Sequence, residues 1–115
     1  NIALIERDKL VERVRDKIGP YFEQQLGTLR EHPAVGEVRV CKLIGAIELL
    51  PKGGRAELTP ALNLGMKMFE LVRKEKIIAR GIRNLLAVSP AFIITEREVD
   101  FLVAGIRKAL DRLWT

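Results

Sequence analysis

The chain has 115 residues, 48% hydrophobic and 30% charged, which is the composition of one globular domain and not of a disordered segment. The net charge is +5, but Lys and Arg are mixed with acids and aromatic residues are few, which argues against a nucleic-acid surface. No apolar run approaches the ~20 residues that cross a bilayer, and Cys41, as the one cysteine, excludes an internal disulfide. We therefore expect a cytoplasmic protein that binds neither nucleic acid nor membrane.

Residues 2–30 predict a long helix, because apolar side chains recur at steps of three and four residues. Gly19-Pro20 interrupts this stripe, since proline removes one helical hydrogen bond and clashes with the preceding turn. The stripe keeps its phase across the interruption, which predicts one kinked helix and not two separate helices. The stripe residues are Leu10, Val11, Val14, Ile18, Phe22, Leu26 and Leu29. Because the chain begins at Asn1 in helix-like sequence, we also expect a piece of a longer protein or a processed product.

Residues 35–50 predict two strands that pair as a hairpin. In the first strand Val and Arg alternate, whereas residues 43–50 are nearly all apolar. A continuous apolar run is typical of a strand that is covered on both faces of its sheet. We expect a tight turn near Cys41-Lys42, and the composition of residues 51–55 predicts a loop after the hairpin.

Residues 60–75 predict a second helix, with Thr59 as its cap and Pro60 at the first helical position. Two short strands follow, at 77–80 and 85–88, and the four residues Gly-Ile-Arg-Asn are expected to connect them. These strands predict a second hairpin.

The last helix begins with a capping box, in which the hydroxyl of Thr95 and the carboxylate of Glu98 each accept a hydrogen bond from the other residue's free backbone amide. Its apolar stripe consists of Val99, Leu102, Val103, Ile106, Leu110 and Leu113. The element order is therefore α-β-β-α-β-β-α. This order predicts an α+β fold, with a small, mainly antiparallel sheet of three or four strands and helices packed on it.

Catalytic residues are hard to find in this sequence. A nucleophilic cysteine needs a base beside it, and nothing in the sequence brings Cys41 together with His32, the one histidine. Ligands for a metal site are lacking, and the glycines of the loop after the first hairpin lack phosphate-loop spacing. Arg80 has two interpretations: a solvated arginine at a strand end, or a guanidinium that grips a carboxylate in a cleft formed with another domain.

The sequence as a whole resembles the C-terminal segment of class III pyridoxal-phosphate (PLP) aminotransferases, the omega-transaminases, and in particular the amine–pyruvate type. The resemblance runs over nearly all 115 residues. Its most specific pieces are "VGEVR", "LIGAIEL" and "SPAFIITEREVD", in that order and spacing. The opening "NIALIERDKLVERVRD" is similar to the long helix by which such enzymes leave their large domain.

The resemblance implies a fold-type I aminotransferase that works as a homodimer. Its substrates would be an amine or amino acid and a keto acid such as pyruvate, and its PLP would be bound by a lysine of the large domain. Residues 1–115 would be the small C-terminal domain, which holds neither catalytic nor cofactor-binding residues and is inactive alone. No lysine here stands in a matching context, whether Lys9, Lys17, Lys42, Lys52, Lys67, Lys74, Lys76 or Lys108. The alternative is a free-standing α+β interaction module without catalytic activity.

One functional position carries over by resemblance. Family members commonly have "LIxR" before a turn and "SPPLIIT" after the next strand, and Arg80 falls on that arginine. In the amine–pyruvate type this arginine swings in to bind a substrate carboxylate and away for amines that lack one. The sequence departs from the family where glycine is usual, at Val40 and Lys42, and also at Ala91. Arg83-Asn84 replaces the usual Gly-Asp, and that second guanidinium would either compete for the carboxylate or face solvent.

Overall fold

A computed structural model describes residues 9, 11–90 and 94–114 of the chain. Helices and strands alternate in the predicted order, and the α+β class is confirmed. The helices are α1 (Gly19–Gly27), α2 (Leu64–Lys74) and α3 (Glu96–Leu113), and the strands are β1 (Val35–Cys41), β2 (Ile44–Leu49), β3 (Arg80–Ile82) and β4 (Leu85–Val88). In the described part of the chain, no helix combines the length and the apolar character that crossing a bilayer requires.

The first helical segment is continuous, as predicted, and a π-helical turn at Val14–Ile18 leads directly into α1. The amide of Gly19 donates to the carbonyl of Val14, five residues back. Because Pro20 has no amide to donate, the helix widens by one residue there and does not break. A Cβ atom on Gly19 would lie 2.1 Å from the Val14 oxygen, so the wide turn requires glycine. The predicted part at 2–8 and 10 lies outside the described residues.

The four strands form one antiparallel sheet in the order β1-β2-β4-β3. The predicted bounds of the second hairpin are confirmed for its second strand, 85–88, but were wrong for its first strand. Its first strand begins at Arg80, where the prediction ended it, and only Arg83 and Asn84 form the turn. The reason is Gly81. Glycine is typical of turns, but this glycine lies inside the strand, opposite Leu86.

Both hairpins close through a two-residue turn whose first residue has a positive φ, 56° at Lys42 and 53° at Arg83. The left-handed conformation costs a non-glycine residue roughly 1–2 kcal/mol. Both turns therefore hold a basic residue in a conformation that glycine adopts without this cost.

The predicted start of the second helix was also wrong. A 3-10 turn at Pro60–Leu62 comes first, and α2 begins only at Leu64. Asn63 lies between them in the left-handed region, at φ 48°, which prevents one continuous helix. At α3, by contrast, the predicted capping box is confirmed, because Thr95 Oγ1 accepts from the Glu98 amide at 3.2 Å and Glu98 Oε1 accepts from the Thr95 amide at 3.2 Å.

The helices cover one face of the sheet and enclose the core. Fully buried side chains come from all layers, including Phe22, Leu26, Ile47, Leu86 and Ile106, and the whole predicted stripe of α3 is buried. Burial of each such side chain contributes about 1.5–3 kcal/mol. The inner side of α2 buries Leu64, Met68 and Val72.

The segment of α1 runs parallel to α3, and polar side chains join the two at a constant offset of 79 residues. Tyr21 Oη donates to Asp100 Oδ1 at 2.5 Å, and Arg107 Nη2 donates to Thr28 Oγ1 at 2.8 Å. The hydrogen bond to Asp100 raises the pKa of Tyr21 to about 12, because the tyrosinate would lose that bond and face a carboxylate. These contacts set the register between the two helices.

The other face of the sheet is left uncovered by the described residues, and we call it the open face. Residues opposite one another in the ladders share a face, and those of the open face are Arg39, Cys41, Ile44, Ala46, Glu48, Arg80, Ile82, Leu85 and Ala87. The prediction that β2 is covered on both faces was therefore wrong for this chain. Its side chains alternate between buried and partly or fully exposed, and Ile44 is 62% exposed.

Candidate substrate-binding site

Arg80 lies on the open face, at the start of the edge strand β3 and opposite Ala87. Ile77 and Ala79 before it are buried, whereas Ile78 is 94% exposed and Ile82 is 47% exposed. This period of two places Arg80 between two exposed isoleucines on one side of the strand. The guanidinium is exposed and forms no ion pair or hydrogen bond with the residues that the structure describes.

The surroundings of Arg80 on the open face are mainly apolar. The ladder that starts at Arg80 continues through Ala87 and Ala46 to Arg39 on the opposite edge. Three strand spacings separate the two arginine backbones by about 14 Å, and only methyl groups lie between them. Arg39 is held near its own strand by Glu37, with 3.1 Å between Nη2 and Oε2. An anion over Ala87 is therefore next to the Arg80 guanidinium, whereas Ala46 borders a more polar trough that charged side chains line, namely Glu37, Arg39, Glu48 and Arg83.

The second guanidinium, of Arg83, lies at the tip of the hairpin. It borders a trough of about 260 Å³ on the open face, together with Asn84 and Leu85. Asn84 is part of the framework, since its side-chain amide donates to the Leu49 carbonyl at 3.3 Å and its carbonyl accepts from the Leu49 amide at 2.7 Å. This position of Arg83 is compatible with both alternatives: competition of its guanidinium for a carboxylate, and exposure of the guanidinium to solvent.

Glu48, which also lines this trough, forms an ion pair that the sequence did not suggest. Glu48 Oε1 lies 2.6 Å from Arg55 Nη2, which raises the pKa of the arginine through a hydrogen bond and through charge. Gly36 leaves the space for this carboxylate, because a Cβ atom there would lie 2.2 Å from Glu48 Oε1. The pair fastens the loop after the first hairpin to the sheet.

Cys41 and His32 lie at opposite ends of β1, which at its seven-residue length separates them by ~20 Å. His32 Nδ1 accepts from the Ala34 amide at 3.1 Å, so its other nitrogen donates to Asp111 at 2.8 Å. His32 thus connects the start of the sheet to α3. Cys41, at the other end of β1, is exposed. Among the described residues, no three His, Cys, Asp or Glu side chains are grouped so as to hold a metal ion.

The chain was compared with known proteins. No family model matches it. It is 31% identical over 113 residues to an adenosylmethionine-8-amino-7-oxononanoate aminotransferase of Geobacter sulfurreducens, and 29% identical over 112 residues to a putrescine–pyruvate aminotransferase of Pseudomonas aeruginosa. These matches cover 96% and 97% of this chain, but only 24% and 25% of the relatives. The chain therefore spans about a quarter of the length of the curated relatives it matches.

Solved structures agree. A transaminase structure with L-alanine superposes with a TM-score of 0.84 at 35% identity, over 96% of this chain and 26% of that one. The chain matches a C-terminal fragment of a class III aminotransferase. An (S)-enantioselective omega-transaminase from Thermomicrobium roseum also superposes on this class III aminotransferase fragment, with a TM-score of 0.84 at 28% identity, over 99% of this chain and 26% of that one.

Aminotransferases as a family imply PLP, which raises the question of whether this fragment could hold it. A lysine that forms a Schiff base is activated in a desolvated pocket, whereas all eight lysines here are exposed. Lys108, for example, lies on the outer side of α3, 4.0 Å from Glu75. The described residues of this aminotransferase fragment therefore do not fit the cofactor.

Sequence reasoning missed one close backbone contact near Arg80, between Gly65 at the start of α2 and Gly81 in β3. Two glycines at an element start and inside a short strand were the available signal, because glycine often marks the close approach of two backbones.

Proposed function

We propose that the chain is the substrate-side small domain of a PLP-dependent aminotransferase. The enzyme would transfer an amino group between an amine or amino acid and a keto acid such as pyruvate. Two relatives support pyruvate, since one is a putrescine–pyruvate and one a taurine–pyruvate aminotransferase, of Pseudomonas aeruginosa and Bilophila wadsworthia. The observation that carries the proposal is a match over at least 95% of the chain to proteins of this one activity class.

The large domain of the same protein is the partner that the open face would meet. Exposed isoleucines, leucine and alanines on one sheet face form an apolar surface of the kind that marks an interaction site. The relatives contain roughly three times as much chain outside the matched part as inside it. That part would hold PLP and its lysine, and by resemblance the enzyme would be a homodimer.

Within this arrangement Arg80 would be the carboxylate anchor. Once a second domain covers the open face, the guanidinium lies among isoleucines and alanines in a medium of low dielectric constant. A bidentate pair with a carboxylate is strong there, and a buried charge without a partner is costly. For an amine without a carboxylate, the long side chain would swing back toward water at the edge of the sheet.

The test is Arg80→Ala in the full-length enzyme. We expect KM for pyruvate to rise about 100-fold, in line with the loss of one partner of a buried charge pair. KM for putrescine, which has no carboxylate, should change only slightly. Arg80→Lys should retain part of the affinity, because an ammonium keeps the charge but not the planar fork. Equal effects of Arg80→Ala on pyruvate and putrescine would remove Arg80 from this role.

The free-standing module is separated from this proposal by the coding sequence upstream of Asn1. An upstream segment with a lysine in a PLP-binding context supports the enzyme. A natural start near Asn1 would contradict it.

A further inference from the structure

The strand that carries Arg80 is weakly held by its sheet. β3 has three residues and lies at the edge of the sheet, where β4 is its one strand neighbour among the described residues. Its three pairs are Arg80 with Ala87, Gly81 with Leu86 and Ile82 with Leu85. A strand this short, with one side unpaired, would be free to shift unless something else held its backbone.

The start of α2 supplies that hold through direct backbone contact. The Gly65 amide donates to the carbonyl of Arg83 at 2.7 Å. A Cβ atom on Gly81 would lie 2.1 Å from the Gly65 oxygen and 2.4 Å from its carbonyl carbon. A Cβ atom on Gly65 would lie 2.8 Å from the Arg83 oxygen, the Ile82 nitrogen and the Leu85 oxygen. Because these neighbours are backbone atoms, no rotamer change can make room, and both glycines are required.

We propose that Gly65 and Gly81 are positioning residues for Arg80. Their contact fixes the backbone of β3 to α2, so that the two positions of the guanidinium differ in side-chain torsions and not in the course of the strand. This inference rests on the proposed role of Arg80 as the carboxylate anchor. It adds that the precision of the anchor comes from a contact on the covered face, directly behind the strand.

The physical reason lies in the geometry of binding. A bidentate pair needs the planar guanidinium in register with both carboxylate oxygens, and a misplacement of about 1 Å at a reacting centre can cost about 100-fold. The substitution Gly81→Ala would push β3 away from α2, and Arg80 is the adjacent residue of that strand. The displacement should therefore weaken the binding of substrates that carry a carboxylate and leave the binding of amines that lack one unchanged.

The experiment uses the full-length holoenzyme with Gly81→Ala and, as a milder variant, Gly65→Ala. We expect KM for pyruvate to rise about 10-fold or more, with KM for putrescine unchanged within about twofold. Gly27→Ala is the matched control, because a Cβ atom there meets only the flexible guanidinium of Arg30, at 2.7 Å. It should leave both KM values unchanged. Equal rises for pyruvate and putrescine in the Gly81→Ala or Gly65→Ala enzyme would overturn the inference.

A double-mutant cycle separates positioning from general damage. If Gly81 acts through Arg80, Gly81→Ala should add nothing to the pyruvate KM in an Arg80→Ala background. A further rise there would contradict the inference while leaving the role of Arg80 intact. Conversely, an Arg80→Ala enzyme without selectivity for carboxylate substrates would contradict the proposed function itself.

A measurement on the unmodified enzyme covers the case in which the alanine variants do not fold. Amide hydrogen exchange at Ile82, which closes the hairpin opposite Leu85, and at Gly65, which donates to the Arg83 carbonyl, should be slow, and equally slow with saturating pyruvate and with saturating putrescine. Faster exchange of these amides in the putrescine-bound enzyme would show that the strand itself moves, which would overturn the inference.

Discussion

The two faces of the sheet follow different physical rules, although they are built from the same four strands. On the covered face Ile47 and Leu86 are fully buried, in the same core cluster as the buried side chains of the helices. On the open face Ile44, Ile82 and Leu85 are exposed, and charged residues stand in the same ladders. The covered face therefore stabilises this chain, whereas the open face carries the residues proposed for binding and docking.

Two neighbouring leucines of β4 test this difference most strongly. Leu86 is fully buried on the covered face, and Leu85 is 37% exposed on the open face. Leu86→Ala should lower the free energy of unfolding by about 3 kcal/mol, from lost transfer free energy and a cavity. Leu85→Ala should lower it by less than about 1 kcal/mol. Urea unfolding of both variants of the isolated 115-residue chain, which has no second domain on the open face, checks this, and similar losses would contradict the division between the faces.

The hairpin turns are a third region of the sheet, because they connect the strands without belonging to either face. Glycine adopts the positive φ of Lys42 and Arg83 without the steric cost, but loses more entropy on folding. Lys42→Gly and Arg83→Gly should each raise the free energy of unfolding by about 0.5–1 kcal/mol. Thermal unfolding measures this, and destabilisation by either change would show that the basic side chain stabilises the fold.

Arg83→Gly also decides between the two roles left open for Arg83. In the full-length enzyme, KM for pyruvate should remain unchanged if that guanidinium faces solvent. A KM that falls would show that Arg83 competes with Arg80 for the carboxylate.

The smallest expected effect lies in the helix layer behind the covered face. Tyr21 is the one tyrosine, so absorbance of tyrosinate reports it alone, and its pKa of about 12 lies above the ordinary value of 10.0. A group whose pKa is raised in the folded state stabilises it below the unfolded pKa and loses that contribution as pH rises. Stability should therefore fall between pH 10 and pH 12, and Tyr21→Phe should remove that part of the fall. A tyrosine titration near its ordinary value would contradict the bond to Asp100.

How far the sequence predicts this molecule depends on the range of the interactions involved. The capping box at Thr95 and the buried stripe of α3 were predicted correctly, because both follow from residues within a few positions of one another. The start of α2 was missed because Asn63 was predicted to be part of the helix, although asparagine is a residue type that tolerates the left-handed conformation it adopts here. The start of β3 was missed because Gly81 looks like a turn residue until Gly65 is seen against it.

The same division holds for the candidate site. Arg80 was singled out from its place between apolar segments and from a resemblance, and both are properties of the sequence. Ala87 faces Arg80 across the local hairpin, but the next neighbours in that ladder, Ala46 and Arg39, lie 34 and 41 residues away along the chain. No local pattern determines such a pairing.

The sequence by itself determined the helices, the two hairpins and their order, because periodicity, caps and turn residues act over a few neighbouring positions. The tertiary structure was needed to show that β4 lies between β2 and β3, that the described residues leave one face open, and that two glycines bring α2 against the strand of Arg80. The physical reason is that these features depend on non-local packing, in which the space that one element leaves is filled by another.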